Sequence, residues 1–95
     1  MAPVRRLVLD LLKPYEPSSL EFAADLSDLP GVDGVNALLV ETDQEVQNVK
    51  LTIEGDDVDF DRVADVVERL GGSIHSLDQV VCGERFVEES ATPQD

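Results

Sequence analysis

Along residues 34–55, GVNALLVETDQEVQNVKLTIEG, the apolar and polar positions fall into two runs that fold back on each other. In the second run Val49, Leu51 and Ile53 alternate with Lys50, Thr52 and Glu54. That period of two marks a strand with one buried face. The first run, residues 35–42, predicts the strand leading into it. Glu41, Asp43 and Glu45 gather where the chain reverses. Before this hairpin, residues 4–12 alternate as a strand: Leu7, Leu9 and Leu11 point to the core, Arg6, Val8, Asp10 and Leu12 to the other side. The prolines of KPYEP end it.

The spacing changes to a helical one at Ser18. Ser18 and Glu21 form an S-x-x-E capping pattern, which satisfies backbone donors at a helix start. Leu20, Ala23 and Ala24, with Phe22 and Leu26, supply the apolar side. Leu29-Pro30-Gly31 stops the helix, and residues 32–34 read as a turn. After the hairpin, Phe60, Val63, Ala64, Val67 and Leu70 recur at helical spacing. Asp59 is placed to cap that helix and Gly71 to end it. Residues 73–81, SIHSLDQVV, alternate irregularly, which predicts a bulged or edge strand.

The order β-α-β-β-α-β is the ferredoxin-like plan, an α+β fold with two helices on one face of a four-stranded antiparallel sheet. One domain over residues 1–83 follows, with an acidic, flexible tail over 84–95. The uncovered face would show Val8, Leu12, Leu38 and Val40 among Asp10, Asn36, Lys50, Thr52 and Glu54. That is too apolar for a face left wholly in water, so another subunit is expected on it or along a sheet edge.

Charge changes the picture most. Twenty-one acids stand against seven Lys+Arg, a formal net charge of −14. A field of that sign repels nucleic acid and anionic membranes. Lysine is confined to Lys13 and Lys50. An acidic, lysine-poor surface on a chain with a core points to a salt-rich, halophilic cytoplasm where counter-ions screen the repulsion. No apolar run approaches the length of a membrane span. Asp10 interrupts the N-terminal apolar run, so it is not read as a signal peptide. The lone Cys82 rules out an internal disulfide framework and fits a reduced compartment.

Three constellations could carry chemistry. Glu41, Asp43 and Glu45 could form half of a site for a hard cation such as Ca²⁺, which takes about six to eight oxygens; the plain alternative is a solvated acidic turn. DDVDFD at residues 56–61 imitates an EF-hand loop, but Arg62 stands where that loop requires glycine and the stretch is amphipathic helix. His75 and Asp78 could act as base and orienter, yet no nucleophile motif accompanies them. No phosphate-binding glycine loop and no C-x-x-C is present.

The segments VRRLVLDLLKPYEPS, GVDGVNALLVETDQEVQNVKLTIEG and GGSIHSLDQVV resemble an archaeal family, domain of unknown function 211. The resemblance runs over residues 4–81 and leaves out the acidic tail. It implies a ferredoxin-like fold, a ring or higher assembly of identical subunits, and calcium association for some members; it implies no enzyme activity. It places Asp10, Glu41, Asp43, Glu45, His75 and Asp78 in family motifs without saying which touch an ion. The expected function is a non-enzymatic cytoplasmic protein whose partner is itself, in a ring or filament assembled through Ca²⁺ on these six residues. The alternative is a regulatory module binding a small molecule at an interface. An enzyme built on His75 and Asp78 is a third reading.

Overall fold

The computed structural model describes residues 2–88. Its elements are β1 (Val4–Pro14), α1 (Ser19–Ser27), β2 (Val32–Thr42), β3 (Val46–Gly55), α2 (Phe60–Arg69) and β4 (Ser73–Cys82). The strands form one antiparallel sheet in the order β2-β3-β1-β4. This is the ferredoxin-like arrangement. Both helices pack on the side carrying Leu7, Leu9, Leu11, Val49, Leu51 and Ile53, where Phe22, Leu26, Val63, Val66 and Val67 complete the core. No helix among the described residues is long and apolar enough to cross a membrane.

The caps form where the sequence placed them. Ser18 accepts from the Glu21 amide, and Asp59 accepts from those of Asp61 and Arg62. Gly71 ends α2 with φ +88°, a backbone region that glycine enters without a Cβ penalty. The phase of α1 differs from expectation. Phe22 and Leu26 are its buried pair, while Leu20 is 79% exposed and Ala24 lies outside the core. Residues 22 and 26 are one turn apart and share a face; Leu20 lies off that face. In α2, Val66 is buried and Phe60 sits at the exposed margin.

Two strand boundaries also differ. Residues 32–34 belong to β2 and pair with β3, where a turn was expected. β1 runs on to Pro14, because Lys13 and Pro14 still pair with Gln47 and Val46. Lys13 is buried at that end. Its ammonium donates to the Pro14 carbonyl (2.7 Å) and to Gln47 Oε1 (2.9 Å), and it lies 5.5 Å from the Phe22 ring centroid. Burial pushes its pKa down.

The open face is not bare at one end. Val8, expected on the uncovered face, is only 8% exposed, and Val81 on the same face is also buried. Residues 84–88 lie back towards this end. Arg5 donates to the carbonyls of Gly55, Gly83 and Glu84. The guanidinium carbons of Arg5 and Arg6 both lie 5.0 Å from the Phe86 ring centroid, within cation–π range. Arg6 also grips Glu54 at 2.7 Å and both oxygens of Glu88 at 3.1 Å. So this part of the expected tail is tied to the sheet; residues 89–95 lie outside the described residues.

Arg6 holds the Glu88 carboxyl below its ordinary pKa. Because the folded value is the lower one, the pairing contributes fully above the ordinary carboxylate range. It is lost as pH falls through the lowered value. Acid is therefore expected to release residues 84–88, seen as loss of NMR contacts between Phe86 and the two arginines while β1–β3 contacts persist. High salt should do the same in part, since this pair is exposed.

Candidate functional site

At the other end of the open face, Asp10, Glu41, Asp43 and His75 line one concavity of about 320 Å³ with Leu12, Val46 and Asn48. All four strands or their connecting turn contribute. Two bulges build it. In β2 the register shifts between Leu39 and Glu41, leaving Val40 unpaired. Glu41, which strict alternation would send to the helix side with Leu39, is thereby opposite Asn48 on the open side. In β4, Ile74 pairs with Leu11 and Ser76 with Asp10, so His75 is the extra residue. The sequence irregularity of β4 is this pair of register shifts, one at His75 and one at Asp78.

The hairpin tip is braced from below. The Asp43 amide donates to the Val46 carbonyl (2.8 Å), and Asp43 Oδ1 accepts from the Gln44 amide (2.6 Å). The Tyr15 hydroxyl donates to the Asp43 carbonyl. Lys13, through Gln47, ties the base of the hairpin to β1. In the middle of the concavity Asp10 Oδ1 accepts from Asn48 Nδ2 at 2.6 Å. That bond engages one oxygen of the carboxylate, Oδ1.

Glu45 and Asp78 are not among the concavity's lining residues. Asp78 instead accepts from the Ser76 hydroxyl at 2.8 Å, so its described partner is a serine rather than His75. Asn48 was missed in the sequence. It carries no motif, and only the pairing of Asn48 with Leu12 and Glu41 brings it beside Asp10.

As a cation site the donor set fits in kind. Three carboxylates and an amide are hard oxygen donors, which suit Ca²⁺ better than a soft metal. The set falls short in number. Among the described residues no three His, Cys, Asp or Glu side chains converge closely enough to hold an ion. Among its described residues one chain therefore brings together no complete coordination shell.

The profile of a family described as uncharacterised ArCR, domain of unknown function 211, matches residues 5–95. The match includes the acidic C-terminal residues that the sequence resemblance left out. An uncharacterised protein of Methanocaldococcus jannaschii is 50% identical over 95 residues, covering 100% of this chain and 98% of that protein.

Proposed function

The chain belongs to the domain of unknown function 211 family, and on that premise we propose a non-enzymatic, cytoplasmic, self-assembling protein whose assembly is linked to Ca²⁺. The observation that carries the reading is the concavity itself. It gathers Asp10, Glu41 and Asp43 across the sheet and reaches both free edges, at Glu41 on β2 and His75 on β4. An incomplete oxygen shell open at two edges is suited to completion by a neighbouring copy.

The edges support this. Leu39 on β2 is 51% exposed, and Leu77 and Val80 on β4 are similarly exposed. All three lie on the helix side, since they pair with Val49, Leu9 and Leu7. Strand directions alternate across the sheet, so a second copy in the same orientation adds its β2 antiparallel to β4 of the first. That contact would bury Leu39 beside Leu77 and Val80, continuing the core across the joint. Glu41 and Asp43 of one copy would then approach the His75 end of the next. The contact is heterologous and produces a closed ring or an open filament according to its rotation.

Calcium has a physical role in such a joint. Each copy carries a net charge of −14, and bringing like-charged edges together is opposed by their repulsion. A divalent ion shared between carboxylates offsets this at the contact. Sedimentation velocity in high KCl, with and without millimolar calcium, tests the reading, with magnesium as the control. Large species are expected with calcium and not with magnesium, which holds its own water shell more firmly. A fixed size under all three conditions would sink it.

A further inference from the structure

We propose that the larger groove of the open face, separate from the acidic concavity, binds a small zwitterion: a free α-amino acid with an apolar side chain. The inference does not depend on the calcium reading. The groove encloses about 630 Å³, within the range of about 300–1,000 Å³ typical of small-ligand sites. Its floor is a short ladder of cross-strand pairs. Gly34 faces Glu54, Asn36 faces Thr52, and Leu38 faces Lys50. Phe86 stands at the Glu54 end.

The groove carries charges of both signs, Lys50 at one end and Glu54 with Asp33 and Arg5 at the other. Lys50 makes no ion pair among the described residues, although Asp10 is its register partner on β1. Asp10 is bonded to Asn48 instead. At the other end Glu54 gives only Oε2 to Arg6, which leaves Oε1 for a ligand. A carboxylate therefore has an ammonium to meet, with the Thr52 hydroxyl and Asn36 amide beside it as donors. An ammonium group has Glu54. Leu38 and the Phe86 ring supply apolar contact for a side chain. The overall charge of −14 opposes entry of a net anion, and a zwitterion carries no net charge for that field to repel.

Room for the ligand is built in at Gly34. A Cβ placed there meets no heavy atom within 4 Å, so the space opposite Glu54 is open down to the backbone. The same fact supplies a blocking variant compatible with the fold: in Gly34→Val the Cβ meets no heavy atom within 4 Å, and the γ-methyls would extend from it into the groove.

The test is an NMR titration of the whole chain with L-leucine. Isocaproate, which lacks the ammonium, and leucinamide, which lacks the carboxylate, are the controls. Leucine is expected to shift the amides of Asn36, Lys50 and Thr52, and each analogue to bind at least about tenfold more weakly. Lys50→Gln should weaken leucine by about tenfold, the size of one lost charge-assisted bond. Gly34→Val should abolish binding with its melting temperature at or above that of the wild type. Absence of leucine-induced shifts in the groove, equal binding of isocaproate, or undiminished binding by Gly34→Val would each overturn the proposal.

Discussion

Gly55→Ala is expected to cost about 3–5 kcal/mol, in the exceptional range for a single substitution, and to leave little folded protein. The added Cβ would stand 1.8 Å from the Gly31 carbonyl oxygen, 2.8 Å from its carbon and 2.9 Å from the Val32 Cα. All three are backbone atoms, so no side chain can turn away to make room. Gly31 cannot retreat either. Its own φ is +83°, and a Cβ on it would meet the Asp57 carbonyl oxygen at 2.2 Å. Here the turn from α1 into β2 is pressed against the turn from β3 into α2, and the contact is closed by the Asp57 amide donating to the Gly31 carbonyl. The two α-β connections can meet only as bare backbone. A small domain has roughly 5–15 kcal/mol of stability in all, so the loss is decisive. Gly34→Ala, in the same sheet with nothing near its Cβ, is the control; it should be neutral or stabilising by about 0.5 kcal/mol. Urea denaturation at one fixed salt concentration reads both. A Gly55→Ala midpoint equal to that of the wild type would mean the two turns do not touch.

That contact also shows what a sequence can and cannot reveal. Glycine at 31 is legible, because it follows Leu29-Pro30 where a helix must stop. Glycine at 55 reads only as the end of a strand. Its necessity comes from a neighbour 24 positions away in the chain, and no local pattern encodes that. The same division runs through the molecule. The alternation of Val49, Leu51 and Ile53 and the caps at Ser18 and Asp59 are local, and they stand where the pattern put them. The phase of α1 is not local. With alanines at 23 and 24, several helical faces are comparably apolar, and the sheet selects the one carrying Phe22 and Leu26. The position of residues 84–88 depends on Arg5 and Arg6 at the far end of the chain, so composition alone made them look like a detached tail.

The acidic concavity was half legible for the same reason. Glu41 and Asp43 are neighbours in sequence and stay together. Asp10, Asn48 and His75 join them through strand register, and register depends on two bulges that alternation can suggest without counting. Glu45, at a regular spacing from Glu41 and Asp43, is not among the residues lining the concavity. A spacing of two keeps residues on one face only while the chain remains extended, and residues 43–45 are where it ceases to be.

On the proposed calcium-linked assembly, replacing Glu41 with glutamine and Asp43 with asparagine together is expected to abolish the growth that calcium should drive in sedimentation velocity. Two mechanisms lead to opposite results here. If calcium acted only by neutralising charge, removing these two carboxylates would do part of its work, and the double variant would assemble without the ion. If calcium bridges chains, the variant loses its ligands and stays small at calcium concentrations that fully assemble the wild type. The proposal is bridging. Among the described residues no three suitable side chains come together within one chain, so an ion would gain most by drawing carboxylates from two chains. The charge removed is small beside −14, so its loss alone is a weak drive to associate. The variant should keep its fold, since asparagine at 43 still offers an oxygen to the Gln44 amide and the Tyr15 bond uses the Asp43 backbone. Its unfolding free energy should stay within about 0.5 kcal/mol of the wild type. Assembly without calcium would replace bridging by neutralisation. Assembly with unchanged calcium dependence would move the ligands elsewhere, with Asp10 and Asp78 the next pair to alter.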